Sequence, residues 1–335
     1  ASLTYSFQFH KGFRTWQPHL KDVKAVIRTL FGLTLLSEPQ TLAGTAQHSL
    51  MMIGSAEPRI AIDGLGELIY RPDLGAKEHA DALFLIAQLV RKDVCGISES
   101  FKLTLKPIQH PVPLLAELPR LVETVIHSLD PNVPHLRESC LKAATQVLHN
   151  LVSQFPNVSF HQTTQRLAVG TQKAVIIIWD LKTATRWHVL EVPPPPLTSA
   201  ALLPLFPLYN IQQGHRGPVT AVAFNQRGDM LASYSVADSR VLFWNTKPSI
   251  THIFSSPACV HSTTVIKTTG NWFFFFFFST ALAYLTFRNT VAPPAQSILE
   301  SVKLQWMGEK SVELGEVGKA VLRLSGEGMN KETFP

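Results

Sequence analysis

The spacing of apolar residues changes once along this chain, near Asn157, and that change constrains the fold more than any other feature. Before it, apolar residues recur every three to four positions, as they do between residues 20 and 31, which is the period of amphipathic helices. After it, short apolar runs alternate with a period of two, the pattern of β-strands. The sequence therefore predicts an α + β protein of two domains, helical over 1–155 and built of strands over 156–335.

Four amphipathic helices are predicted in the first domain, at 20–31, 83–90, 118–129 and 136–151. The last two flank a turn at 130–134 that contains two prolines, so they form an antiparallel αα-hairpin. Two such helices and their linker approach the ~40-residue unit of HEAT- or armadillo-type solenoids. An irregular helical domain with the same stacking remains the alternative.

The second domain begins with four short strands separated by turn residues. We expect them at 158–160, 166–169, 175–179 and 186–190. Four sequential antiparallel strands are the unit of a β-propeller, one blade. Three more strands are predicted further along the chain, at 219–224, 230–235 and 241–244.

Residue pairs at fixed places in these strands resemble the signatures of the WD-repeat family. The pairs are Trp179-Asp180, Gly214-His215 and Trp244-Asn245. In that family a Gly-His pair opens a repeat and a Trp-Asp pair closes its third strand. Asn245 takes the place of the second Asp. The resemblance implies a partial propeller that follows the helices.

The resemblance also implies a buried chain of hydrogen bonds between a His, a Ser, an Asp and the Trp. Those positions fall on His215, Ser233 or Ser235, Asp238 and Trp244. Such a set can be satisfied, because indole only donates, a carboxylate only accepts, and imidazole and hydroxyl do both. A Ser-His-Asp triad for acyl transfer uses the same residue types. Their places within a blade indicate a structural role.

The stretch from Phe155 to Trp244 resembles, more specifically, the carboxyl-terminal part of the rabconnectin-3 beta family, with the resemblance carried by 166–170, 180–185 and 217–224. The chain would then be a fragment of a large cytoplasmic scaffold. The resemblance implies a rabconnectin-3 alpha-type partner subunit and peripheral association with vesicles or other acidic organelles through partners. It also implies assembly of the vacuolar proton-pumping ATPase by contact with the pump's cytosolic sector.

Two stretches, 192–213 and 268–295, do not fit the strand pattern. The first is rich in proline and leucine and the second contains six consecutive phenylalanines, residues with pyrimidine-rich codons. We expect both to be non-native inserts from retained intron sequence. Removal of the first would join Glu191 to Gly214, which sequencing of the transcript tests. A transmembrane helix is the alternative for the second, since no charge occurs between Lys267 and Arg288.

Alternation of apolar and polar residues resumes at 302–306 and 312–314, which suits a closing blade. Charged residues make up only 16% of the chain and hydrophobic residues 45%, so most of it is expected to be globular. The net charge of +6 is scattered rather than gathered in the basic stripe that nucleic-acid binding requires. We therefore expect no nucleic-acid partner.

Motifs that carry chemistry are not found in the sequence. The three cysteines are far apart, with no CxxC spacing, and the histidines lack an HExxH pattern. Gly64-Leu65-Gly66 lacks the third glycine of a dinucleotide loop and is predicted to be a turn. We expect no catalytic residue, cofactor or metal, and hence no enzyme. The alternative is a helical enzyme or enzyme-associated domain recruited through its WD blades.

Overall fold

Helices come first and strands second in the computed structural model, as the change of period predicts. The structure describes residues 15, 17–36, 40–90, 112–191, 214–247, 259–264, 302–308, 311–316 and 322–325. After a 3₁₀ turn at Gln17–His19, the helices in these ranges are α1 (Val23–Thr34), α2 (Gln40–Ala56), α3 (Pro58–Ile69), α4 (Ala76–Val90), α5 (Val112–His127) and α6 (Pro134–Gln154). The predicted inserts at 192–213 and 268–295 lie outside the described residues.

Helix α1 shows how local sequence sets the helix boundaries. The carboxylate of Asp22 accepts a hydrogen bond from the Ala25 backbone N–H at 3.0 Å, which satisfies one of the free donors of the first turn. Ile27 and Phe31 lie on one face and are buried. The helix therefore begins three residues later than the apolar pattern suggests, because the cap rather than the first apolar residue fixes its start.

The six helices form three consecutive pairs stacked in two layers. Helices α1, α3 and α5 pack in sequence along the first layer, and α2, α4 and α6 pack along the second. Each helix also contacts the other member of its pair. Every pair buries its apolar face against the next pair, as in repeat proteins whose units contact only their neighbours.

Two helices, α2 and α3, were not predicted, and the turn predicted at Gly64-Leu65-Gly66 is wrong. These three residues lie inside α3 and are buried. A Cβ on Gly64 would approach Ile27 of α1 to 2.7 Å, and a Cβ on Gly66 would approach Thr124 of α5 to 3.2 Å. The glycines are therefore helical residues at the sites where α3 meets its two neighbours in the first layer.

Ion pairs link successive members of the first layer on its surface. Lys24 and Arg28 of α1 both pair with Glu67 of α3. In turn, Asp63 of α3 pairs with Arg120 of α5 at 2.8 Å. These side chains are partly exposed, so each pair contributes only about 0–1 kcal/mol. Together they connect α1 to α3 and α3 to α5.

The strands form three antiparallel sheets, and no closed propeller is formed by the described residues. The first sheet has the order β1-β2-β3-β4, the second β5-β6-β7-β8, and the third β11-β10-β9. All seven strands predicted in the first two sheets are confirmed to within two residues at each end. The strands are β1 (Val158–His161), β2 (Arg166–Gly170), β3 (Ile176–Asp180), β4 (Thr185–Leu190), β5 (Ala221–Phe224), β6 (Met230–Ser235), β7 (Arg240–Asn245), β8 (Cys259–Thr264), β9 (Val302–Trp306), β10 (Ser311–Glu316) and β11 (Leu322–Ser325).

The sheets stack face to face in chain order. Strands β1, β5 and β9 are adjacent along the stack. One apolar cluster lies between the first and second sheets and includes Ile178, Leu242 and Trp244. Another lies between the second and third sheets and includes Phe243 and Val312. The second sheet therefore buries both of its faces.

The first sheet also buries both faces, because the helices cover the face that does not meet the second sheet. The core of the helices continues without interruption into the sheet, where it includes Leu167, Val169, Trp179 and Leu181. At the rim of this contact, Arg186 of β4 pairs with Glu123 of α5 at 3.1 Å. The row of ion pairs on the first helical layer thus extends to the first sheet.

Candidate functional site

Four side chains of the second sheet form one chain of hydrogen bonds. His215 Nδ1 lies 3.1 Å from Asp238 Oδ2, and its Nε2 lies 2.8 Å from Ser233 Oγ. Ser233 Oγ also accepts a hydrogen bond from Trp244 Nε1 at 2.8 Å. These hydrogen bonds link four parts of the second sheet: the loop before β5, strand β6, the turn after β6 and strand β7.

The partners assign the proton positions in this chain. Indole N–H only donates, so Ser233 Oγ accepts from Trp244. The Ser233 hydroxyl then donates to Nε2 of His215, and the Nδ1–H of His215 donates to the Asp238 carboxylate. Every polar atom of the chain has a partner, which is required of buried groups in a medium of low dielectric.

Asp238 holds its charge although its side chain is only 9% exposed. Burial alone raises the pKa of a carboxyl group, but hydrogen bonds from His215 and from the backbone N–H groups of Arg216 and Arg240 outweigh burial. The net result is that the pKa of Asp238 is lowered. The two backbone bonds measure 3.0 and 3.2 Å. The carboxylate thereby fixes the loop before β5 and the start of β7.

The lowered pKa predicts a pH dependence of stability. A carboxyl group whose folded pKa is depressed contributes stability above its unfolded pKa of about 4, and the contribution is lost as pH falls through the folded value. We expect Asp238→Asn to cost about 1–3 kcal/mol at pH 7 and progressively less below pH ~4. Urea unfolding of wild type and variant at pH 7, 5 and 3.5 measures this. A cost that does not change across this range would contradict it.

Of the two serine candidates, the structure brings Ser233 into the chain and leaves Ser235 outside it. Ser235 is fully buried, and within the described residues its Oγ has no hydrogen-bond partner. The two serines are two positions apart on β6 and therefore lie on the same face of the sheet. Trp244 of β7 pairs with Leu231 of β6. This register brings the indole N–H within hydrogen-bond distance of Ser233 and not of Ser235.

The Asp-His-Ser order is that of an acyl-transfer triad, but this site cannot act as one. A catalytic Ser must offer its Oγ to a substrate carbonyl. Ser233 is 0% exposed and His215 is 1% exposed, and Trp244 already donates to the Ser233 oxygen. A substrate has no path to this atom. The chain of hydrogen bonds holds the sheet together.

The residues that follow the two tryptophans have the same local role. Oδ1 of Asp180 accepts from the Lys182 N–H at 2.8 Å, and Oδ1 of Asn245 accepts from the Lys247 N–H at 3.0 Å. Asn and Asp side chains both close this kind of turn. The replacement of Asp by Asn at 245 therefore leaves the turn unchanged. Gly214, which opens the repeat, is buried.

Trp179 lies in a different environment from Trp244. The strand registers put Val169 of the first sheet in the place that Ser233 has in the second, and a valine side chain cannot accept a hydrogen bond from the indole N–H. The residues before β1 belong to α6 rather than to a Gly-His loop. Trp179, which is 2% exposed, is instead part of the helical core.

Sequence patterns gave no sign of His161, which joins the first two sheets. Its Nε2 lies 3.0 Å from the Gln226 carbonyl oxygen in the β5–β6 turn, and its Nδ1 lies 2.8 Å from Thr164 Oγ1. A Cβ on Gly228, whose φ is +71°, would approach the ring to 2.3 Å. Glycine is therefore needed in this turn both for the left-handed backbone and for the close approach.

Arg166 forms a second contact between these sheets. Its guanidinium lies 3.5 Å from the Trp187 ring centre, and its Nη1 donates to the Thr246 carbonyl oxygen at 2.9 Å. Burial lowers the pKa of Arg166, and the charge of Asp180 opposes this effect. A lone arginine in a strand carries no sequence signal, so this contact also could not be predicted.

Comparison with known proteins identifies a WD repeat in the second sheet. The family described as WD domain, G-beta repeat matches residues 206–245, a range that begins within the predicted insert at 192–213. Similar solved structures include Hsv2 of Kluyveromyces marxianus, with 10% identity and a TM-score of 0.27, and Hsv2 of Kluyveromyces lactis, with 8% and 0.28. Each alignment covers 47% of this chain, and 35% and 37% of those chains, respectively. The chain thus spans about a third of their length.

None of the described helices is both long and apolar enough to span a bilayer. The alternative of a transmembrane helix at 268–288 lies outside the described residues. Among the described residues, no group of three or more His, Cys, Asp or Glu side chains is arranged to hold a metal ion.

Proposed function

We propose that this chain is a non-catalytic WD-repeat scaffold that promotes assembly of the vacuolar proton-pumping ATPase and acidification of vesicles. The observation that carries the proposal is the WD repeat at 206–245, since WD repeats generally mediate contacts between proteins. Its most distinctive side chains are buried and bond to one another. The repeat therefore supplies a stable frame, and binding falls to the surfaces of the stacked layers.

The second helical layer offers a surface that suits protein binding. Each of its helices exposes a large apolar side chain, namely Leu42 of α2 at 39%, Phe84 of α4 at 50% and Leu141 of α6 at 51%. Apolar side chains that recur along one face mark interaction sites more often than isolated ones do. The first layer instead carries the ion pairs, whose charges already have partners.

The resemblance to the rabconnectin-3 beta family supplies the particular partners of this proposal. They are a rabconnectin-3 alpha-type subunit and the cytosolic sector of the pump, and they hold the protein on vesicles or other acidic organelles from the cytoplasmic side. No cofactor takes part. We also propose that the helical domain ends at 155 and is of HEAT or armadillo type, and that the stretches near 192–213 and 268–295 are not native.

Depletion of the full-length protein should leave the pump subunits present but poorly assembled on membranes, so organelles should acidify less. A pH-sensitive dye in the organelle lumen measures acidification. Affinity capture of the tagged full-length protein should recover the alpha-type subunit and the cytosolic sector of the pump. Normal acidification together with capture of neither partner would overturn the assignment.

A pair of charge-introducing variants locates the binding surface. Phe84→Asp in the full-length protein should reduce partner recovery about tenfold, because a carboxylate in an apolar contact loses its water. Arg59→Asp, at an exposed position of α3 in the other layer, should leave recovery unchanged. Equal losses in both variants would place the partners elsewhere.

A further inference from the structure

The strand register shows which residues lie on equivalent faces of the first and second sheets. The second sheet packs on the first with the face that carries Leu231 and Trp244. The matching face of the first sheet carries Leu167 and Trp179. If another blade preceded the first sheet and packed on it as the first packs on the second, that blade would lie against this face.

The helices fill this place. Leu167, Val169, Trp179 and Leu181 belong to the same uninterrupted apolar core as α5 and α6. None of these four side chains is more than 7% exposed. The Glu123–Arg186 ion pair lies at the edge of the contact. The helices thus cover the part of the face that β2 and β3 form, and Arg186 of β4 at its edge stays partly exposed.

The connection between α6 and β1 is held by hydrogen bonds to both sheets. The Pro156 carbonyl oxygen accepts from the Val222 N–H of β5 at 2.9 Å. The Asn157 side-chain amide donates to the Gly170 carbonyl oxygen at 2.7 Å, and the Gly170 N–H donates to the Asn157 carbonyl oxygen at 2.8 Å. This connection therefore fixes the helices on the sheets and is not a flexible linker.

The other end of the row is polar. In β9, Val302 and Leu304 are buried against the second sheet, whereas Lys303 and Gln305 point to the opposite side and are exposed. Burial of these two side chains between two sheets would remove the water from a charged ammonium group and from an amide, which is unfavourable. The outer face of the third sheet is thus suited to water and not to a further blade.

We infer that helices α5 and α6 are the binding partner of the first sheet in place of a preceding blade, so that the three sheets form a row capped by helices and not part of a closed ring. A blade from another segment or another protein has no free face on the helical side. This inference concerns the fold of the chain and does not depend on the proposed function.

Hydrogen exchange followed by mass spectrometry, on the full-length protein, tests the inference. Trp179→Ala should speed amide exchange in α5 and α6 by about tenfold or more, because the core that the helices share with the first sheet loses a large buried side chain. The matched control is Trp306→Ala, which removes an indole from the opposite side of the second sheet, where its N–H donates to the Ala223 carbonyl oxygen at 2.8 Å. It should leave exchange in α5 and α6 unchanged.

A milder variant covers the case in which Trp179→Ala does not fold. Val169→Ala lies on the same face and should speed exchange in α5 and α6 by about threefold. Faster exchange confined to β2 and β3, with α5 and α6 as protected as in the wild type, would overturn the inference. So would equal acceleration of the two helices in the Trp306→Ala control.

Discussion

Replacement of Trp244 by alanine should lower the free energy of unfolding by about 3–5 kcal/mol. The indole is 2% exposed and lies in the apolar cluster between the first and second sheets. Its removal leaves a cavity at that contact and deprives Ser233 Oγ of a donor. Denaturant unfolding of the full-length protein, followed by tryptophan fluorescence, measures the loss.

Two other variants separate packing from hydrogen bonding at this site. Trp244→Phe keeps an aromatic ring and removes the donor, so it should cost about 1–2 kcal/mol. His215→Ala should cost less than Trp244→Ala, because Asp238 retains its bonds to two backbone N–H groups. A loss below about 1 kcal/mol for Trp244→Ala would show that this residue is outside the core.

Replacement of Gly64 by leucine should destabilise the helical layers by about 3 kcal/mol. Even the first added carbon would come within 2.8 Å of two Ile27 atoms, and both helices continue on either side of this contact. Since Ile27 is fully buried, it cannot move into solvent, and α1 must separate from α3. Urea unfolding followed by circular dichroism at 222 nm measures the change.

Gly44→Leu is the matched control. Gly44 lies on an exposed part of α2, and an added Cβ would have no heavy atom within 4 Å. Leucine has the higher helix propensity, so this variant should be up to about 1 kcal/mol more stable than the wild type. Two variants with the same effect would mean that crowding at Ile27 does not decide the outcome for Gly64.

Sequence reasoning located the helices whose apolar period is uninterrupted and missed α3, whose middle contains two glycines. Helices with one apolar face, such as α1 and α5, were predicted from their period. Helix α3 has a polar stripe as well, formed by Arg59, Asp63 and Glu67 at every fourth position, but Gly64 and Gly66 lie in its middle. Its two glycines indicate a turn locally, and only their contacts with Ile27 and Thr124 explain them as helical.

Strands were more accessible to prediction than the contacts between sheets. Alternation and turn residues located the strands of the first two sheets, and β8 and β11 were missed. The His215, Asp238 and Trp244 positions followed from the WD resemblance, but the choice of Ser233 over Ser235 depends on the relative position of two strands. His161 and Arg166 bond across sheets to backbone carbonyl oxygens. Any sequence can provide such acceptors, so these contacts leave no trace in the chain.

The three helix pairs and then the three sheets follow one another in chain order, and this has a consequence for synthesis on the ribosome. Each helix pair or sheet emerges after the one on which it packs. Its docking surface is therefore already present when its own residues leave the exit tunnel. Chains are made at roughly 5–20 residues per second, far slower than a helix or hairpin forms. Apolar faces such as the one around Trp179 can therefore be covered one after another as the chain grows, and none has to wait for a distant segment.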